Sequence, residues 1–270
     1  MRTVSTFGST LKGLAVDFGC LFRVIYALMM REIHTRYGRE NIGFLWVLGE
    51  PILFCAGVAI LWTMIRPSHE HGLPMTAIVV TGYVPLTMWR HCLGQSVKAF
   101  EANGSLLFHR QVTPITIIVA RSSLEIIGTI MAGIFVVCGA VFLGFMKPPQ
   151  YYGILYLGLL FQTIFCTSMS MIFASLSEMS EIVEKLMSVF SYLSLPFTGA
   201  FTMVDWIPQK YRWYMMLSPS VDNIEMIREG QFGINAHAHY DILYCCGINV
   251  FLLVVGLYLT LNVRKYILVQ

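Results

Sequence analysis

Residues 114–145 read PITIIVARSSLEIIGTIMAGIFVVCGAVFLGF, a run of 32 residues with only two charges, Arg121 and Glu125. About 20 apolar residues in a helix suffice to cross the ~30 Å hydrocarbon core of a bilayer. At the α-helical rise, 32 residues extend about 48 Å. The segment is therefore expected to cross a membrane at a tilt or to project from it. Pro114 marks its start, and the turn Lys147-Pro148-Pro149-Gln150 follows its end.

The rest of the 270-residue chain shares that character. It is 56% hydrophobic and 12% charged, whereas soluble domains carry about 25% charged residues. That leaves too few charges to coat a water-facing surface, which argues against a large soluble enzyme. No segment is both charge-rich and poor in apolar residues, so long disordered tails are not expected. Net charge is +3, and no compact basic patch interleaved with aromatics points to nucleic acid. The seven cysteines fall in apolar or amphipathic stretches and read as reduced, small hydrophobes.

Working outward from 114–145, five further spans are predicted: Phe44 to Ile65, Met75 to Phe100, Tyr151 to Leu176, Leu186 to Val204 and Ile242 to Leu261. The second contains Arg90 and His91, which must be buried in protein or line a polar cavity. The fifth is short and broken by Pro196 and Gly199. Ahead of the first span, Leu14, Phe18, Leu21, Ile25 and Leu28 recur at helical spacing, with Asp17 and Arg23 off the stripe. That predicts a helix within 14–40 lying in the membrane interface, or packed on a partner chain. Six spans put both termini on one side. Twelve lysines and arginines then fall on that side, against five on the other (Arg66, Lys147, Lys210, Arg212 and Arg228). The excess places both termini in the cytoplasm. The outer segment 205–240 holds Trp206, Tyr211, Trp213, Tyr214 and Phe232. Pro208 and Pro219 each precede a helix-like stretch, so two short re-entrant helices are expected; an aromatic membrane anchor is the alternative.

No phosphate-binding loop, nucleophile elbow or zinc-hydrolase motif occurs. The pairs His69/His71 and His237/His239 are weak metal ligands in loops, and no metal site is expected. No active site is visible, and transport is the remaining large class.

The block Arg31-Glu-Ile-His-Thr-Arg36-Tyr-Gly-Arg39-Glu-Asn-Ile-Gly-Phe-Leu-Trp46, ending in Glu50-Pro51, is distinctive. From Met30 to Pro51 it closely resembles the membrane subunit of ABC-2-type exporters, specifically capsular polysaccharide permeases of Gram-negative bacteria. The resemblance continues through Thr81-Gly82-Tyr83, Met88-Trp89-Arg90, Leu106-Leu107-Phe108-His109-Arg110, Leu195 to Phe201 and Glu229 to Gly233. It implies an inner-membrane protein that is all-α and forms one domain over 1–270. Six transmembrane helices, an N-terminal cytoplasmic interface helix and outer re-entrant helices between spans five and six are expected. It implies a homodimeric pore for capsular polysaccharide, often lipid-linked, moving from cytoplasm to periplasm. It also implies a separate ATPase dimer that carries ATP and magnesium, so this chain binds no cofactor and is not an enzyme. A periplasmic co-polymerase-type protein and an outer-membrane polysaccharide export channel would continue the path. An O-antigen or teichoic-acid exporter is the alternative cargo reading. A membrane glycosyltransferase or acyltransferase, or an assembly scaffold, represents other classes.

On that resemblance the ATPase would push on Leu106, Leu107, Phe108, His109 and Arg110, and on Arg31 and Glu32. The apolar knob at 106–108 either fills a partner groove or dips into the bilayer surface. Arg36 and Arg39, flanking Tyr37, suit either a lipid-borne phosphate on the cargo or bulk anionic lipid. Glu50 and Arg90 lie about 9 and 15 Å inside their spans by the helical rise. With Arg121 and Glu125 at similar depth they are expected to form one charge network, favouring a structural role over a polymer-lining one. Trp46, Phe197 and Phe201 rank first among aromatics that would line a sugar path, ahead of Trp62, Tyr83, Trp89 and Tyr192. Pro196 and Gly199 would suit a gate.

Overall fold

The computed structural model describes residues 19–35, 43–65, 69–70, 72–108 and 111–267, except for a few helical side chains, that of Trp46 among them. Leu14, Phe18, Arg36, Tyr37, Arg39, His109 and Arg110 lie outside the described residues.

The described chain is helical apart from one small hairpin. Helix α1 covers 19–35. Helix α2, Gly43–Ile65, leads to two-residue strands β1, His69–Glu70, and β2, Leu73–Pro74, which pair antiparallel. Helix α3 is Met75–Ser96, and a 3₁₀ segment, Glu101–Phe108, joins it to α4, Pro114–Phe142. Helices α5, Tyr152–Met179, and α6, Glu181–Leu193, follow. Helices α7, Gln209–Met216, α8, Pro219–Phe232, α9, Ile242–Asn262, and α10, Arg264–Ile267, complete the order.

Local chemistry sets several of these boundaries. Pro114 occupies the first turn of α4, where its missing N–H costs nothing. Thr113 and Thr116 form a reciprocal capping box around it. The Asp241 carboxylate caps α9 by accepting from the N–H groups of Leu243 and Tyr244. α6 ends ahead of Pro196, which cannot continue a helix.

Three described helical stretches, Pro114–Phe142, Tyr152–Met179 and Ile242–Tyr266, are long and apolar enough to cross a membrane. The expected fifth span is not one continuous helix. α6 has 13 residues, about 20 Å at the helical rise, and gives way to a 3₁₀ turn, Leu195–Thr198, and to Gly199 at φ +80°. It also begins earlier than expected, at Glu181. The break at Pro196 and Gly199 is where the sequence placed it.

α3 is the hub. It contacts α2, α4, α5, α6 and α8, and most of its residues are buried, Thr81, Thr87 and Ser96 among them, while Arg90 and His91 are half-buried. The two short helices expected within 205–240 are present as α7 and α8, but they differ. α7 has no buried residue, whereas α8 is buried along nearly its whole length. Glycines let it in. A methyl on Gly158 of α5 would lie 2.8 Å from the Asn223 carbonyl oxygen, and one on Gly230 of α8 would lie 2.6 Å from the Leu155 nitrogen. Gly82 of α3 meets the Ala200 carbonyl in the same way.

Candidate functional site: the 101–108 segment and its anchors

The 3₁₀ segment Glu101–Phe108 is kinked at Asn103, where φ is −122°. Ala99 and Phe100 just before it are buried and fix its root. Of the apolar knob predicted at 106–108, Phe108 alone stands clear, at 86% exposure; Leu106 and Leu107 are half-buried. Leu106 and Val112 face Val24, Ala27 and Leu28 of α1 across a groove of about 510 Å³.

Two polar contacts fasten α1 to this region. Arg31 donates to Asn103 Oδ1 at 2.7 Å, which ties α1 to the kink. Glu32 is the buried member of α1. Arg121 of α4 donates to its Oε1 through Nε and Nη2, both at 2.8 Å, and through Nη1 to Gln95 O at 3.1 Å. Arg31 thus contacts the 101–108 segment itself, whereas Glu32 is tied to α4.

The predicted charge network divides in two. Arg121 turns to α1, four residues and one helical turn from Glu125. Glu50 and Glu125 flank His91 instead, at 3.6 and 3.5 Å. Glu50 and Arg90 do not pair. The Arg90 guanidinium lies over the ring of Phe54 at 5.7 Å, a cation–π contact. Both contacts fall on one face of α2, where Glu50 and Phe54 are one helical turn apart: His91 meets Glu50, and Arg90, one residue earlier on α3, meets Phe54.

Arg90 begins an aromatic row. Phe54 and Tyr83 are 5.6 Å apart, and Tyr83 meets Phe201 edge-on at 5.6 Å. Phe197 is 62% exposed and lines a separate groove of about 470 Å³ with Trp89, Phe165 and Phe190. There Trp89 stacks on Phe165 at 5.1 Å and donates to Ser194 Oγ at 3.1 Å. Phe197 and Phe201, the two described aromatics of the three ranked first for a sugar path, therefore sit in different settings.

Residues 23–232 match the family described as ABC-2 type transporter. The chain belongs to that family. It is 34% identical over 235 residues to the capsule polysaccharide export inner-membrane protein CtrC of Neisseria meningitidis serogroup A, covering 87% of this chain and 89% of that one. It is 33% identical over 243 residues to the capsule polysaccharide export inner-membrane protein BexB of Haemophilus influenzae, covering 90% and 92%. It is 27% identical over 220 residues to the polysialic acid transport protein KpsM of Escherichia coli, covering 76% and 80%.

Within this ABC-2 chain the most heavily buried polar groups escaped sequence reasoning. On α8, Arg228 donates to Ala200 O and Thr202 O, both at 2.9 Å, and to Glu225 Oε1 at 3.3 Å. Glu225 also accepts from the N–H groups of Val204 and His239. Burial is the leading influence on both, raising the Glu225 pKa and lowering that of Arg228, while each partner opposes the shift in the other. Neighbouring Asn223 donates to Gln162 Oε1 of α5 at 3.0 Å and accepts from the Cys245 thiol of α9 at 2.9 Å. Neither oxygen of Asp222 has a hydrogen-bond partner. Burial pushes its carboxyl up to about 7, and the nearby Asp241 backbone N–H offsets part of that without completing a hydrogen bond. The dense polar run Asp222-Asn-Ile-Glu225-Met-Ile-Arg228 was the available signal. The run falls in an expected re-entrant helix, but its partners lie in other elements and nothing local selects them.

Proposed function

We propose that this chain is the membrane-spanning permease subunit of an ATP-driven exporter that moves capsular polysaccharide, as a lipid-linked polymer, from cytoplasm to periplasm. One observation carries the reading: similarity over about nine-tenths of the chain to proteins named for capsule polysaccharide export at the inner membrane. Six crossings of the inner membrane, both termini in the cytoplasm and α7–α8 as the outer re-entrant pair complete the topology. Two copies enclose the pore, and two copies of an ATP-binding subunit dock beneath them. A periplasmic co-polymerase-type protein and an outer-membrane channel take the polymer onward. The ATPase engages Phe108 and the 101–108 segment, together with His109 and Arg110; exposure of so large a ring beside two fastening contacts supports this. Cargo phosphate is received at Arg36, Tyr37 and Arg39. The Phe54–Tyr83–Phe201 row, with Trp46 and Phe197, offers sugar faces a stacking surface without tight binding.

Deleting the gene and measuring polymer inside and outside the cell tests the reading. Full-length polymer accumulating inside, reversed by the intact gene, is the expected result. Absence of polymer everywhere would assign the chain to biosynthesis, and normal surface polymer would refute the cargo assignment. Phe108→Asp should abolish co-purification of the ATPase while leaving the permease folded.

A further inference from the structure

Between α3 and the 101–108 segment the chain reverses in a tight turn, Ser96 to Ala99. It is closed by the Ala99 N–H donating to Ser96 O at 3.2 Å. Val97 has φ −64° and ψ 134°, and Lys98 has φ +54°. These are the angles of a type II turn, whose third residue is ordinarily glycine or asparagine because φ is positive there. Elsewhere in the described residues this chain meets that demand with Gly72, Gly144, Gly199 and Gly233, and His237 is the other exception. A glycine at 98 would make the same turn without the Cβ strain. The lysine therefore has to be explained by its side chain.

That side chain bridges separate elements. Its Nζ lies 3.0 Å from Glu184 Oε1 on α6 and 3.8 Å from Glu101 Oε2 at the start of the 3₁₀ segment. More than half of the Lys98 side chain is exposed, so the pairs add little to stability. Nor does α6 require the lysine. Glu181 and Glu184 stand in its first turn, where carboxylates complement the helix dipole unaided. What the bridge does is join the 101–108 segment to the start of α6. The far end of α6 is held by the Trp89–Ser194 hydrogen bond, and the break at Pro196 and Gly199 follows it.

We propose that Lys98 is a positioning residue for transport: its ion pair with Glu184 transmits displacement of the 101–108 segment to α6 and so to the Pro196–Gly199 break. The inference rests on the proposed docking of an ATPase at that segment. A displaced segment carries the ammonium with it, and Glu184 draws α6 along as one body.

The turn itself supplies the decisive variant. Lys98→Gly suits the backbone better and removes only the link. The permease, co-expressed with its ATPase and reconstituted in proteoliposomes, is assayed for thermal stability, ATP hydrolysis and polymer moved per ATP. Lys98→Gly should match or exceed the wild type in stability and hydrolyse ATP at an undiminished rate. Polymer moved per ATP should fall at least tenfold. Lys98→Glu should fail likewise, and Lys98→Glu with Glu184→Lys should recover to within threefold of wild type. Coupling within twofold of wild type in Lys98→Gly would overturn the proposal. So would a charge-reversed pair no better than Lys98→Glu alone, which would leave Lys98 as a topology or lipid-contact charge. Loss of stability in Lys98→Gly would overturn the turn argument. Wild-type complex that hydrolyses ATP but moves no polymer would instead count against the proposed function.

Discussion

Removing Glu32 should release α1 from the body of the protein. Glu32 is the buried residue of 19–35, and its carboxylate meets Arg121 at 2.8 Å with side-chain exposures of 9% and 12%. Breaking a buried pair by deleting one partner costs about 3–5 kcal/mol, because the other charge is left desolvated. The slight exposure and the remaining Arg121–Gln95 bond point to the lower end, about 3 kcal/mol, or roughly a 150-fold shift in the docked-to-released ratio of α1. Hydrogen exchange on the permease in lipid nanodiscs reads this directly from peptides covering 19–35. Glu32→Ala should raise the open fraction about 100-fold, and Arg121→Ala should do nearly the same. If the pair is the anchor, the double variant should open no more than about threefold beyond either single one, since the second substitution removes an interaction already lost. Effects that multiply in the double variant, or exchange unchanged in Glu32→Ala, would refute the reasoning.

Three further outcomes are expected. Asp222, raised from 3.8 to about 7 by burial, binds its proton more tightly folded than unfolded. Its contribution to stability is therefore lost as pH rises from about 4 to 7, and Asp222→Asn should stabilise the fold at pH 8 by on the order of 4 kcal/mol by linkage, read as a higher melting temperature, with little gain at pH 4. Gly82→Ala drives a methyl into the Ala200 carbonyl and should cost about 1–3 kcal/mol as overpacking does. In Gly94→Ala the added carbon meets nothing within 4 Å, so it should be neutral or stabilising in the same thermal assay. Arg228→Met should destabilise by at least about 3 kcal/mol, because it strands the Glu225 carboxylate; adding Glu225→Gln should recover part of that loss by removing the stranded charge, as judged by melting in detergent.

The elements that could be read from sequence are those whose reasons are local. Pro114 and Thr113 announce the start of α4 within three residues, and the long apolar runs of α4, α5 and α9 have no soluble interpretation. Pro208 and Pro219 announce α7 and α8. What could not be read were pairings across sequence distance. Glu32 and Arg121 are 89 positions apart, and nothing in either neighbourhood selects one for the other. Glu50 meets His91 rather than the adjacent Arg90, whose partner Phe54 lies one turn further along the same face of α2, so a depth estimate coarser than one turn assigned Glu50 to the wrong one. Depth along an axis constrains which layer a charge occupies; its partner is decided by the packing of α3 against α2 and α4.

The fifth span shows the same limit at the level of the backbone. Pro196 and Gly199 tell the reader that α6 must stop, but a stopped helix inside a membrane protein exposes carbonyls that only protein or water can satisfy. The tail of α6 satisfies part of its own last turn, with Ser194 N–H donating to Phe190 O, and Phe197 N–H donates to Ser194 O beyond it. Beyond Gly199 no such local bond is available to Ala200 and Thr202. Their carbonyls are instead met by the two terminal nitrogens of Arg228, while Glu225 takes the Val204 N–H. The pair is thus the counterpart of the break: irregular backbone at 199–204 is tolerable because α8, admitted by Gly158 and Gly230, carries a fork of donors and an acceptor to it. A break in one helix and a buried ion pair nearly thirty residues later are one structural feature. Substituting Gly199 would disturb the turn, but the break would stay unsatisfied in any variant that lacks Arg228.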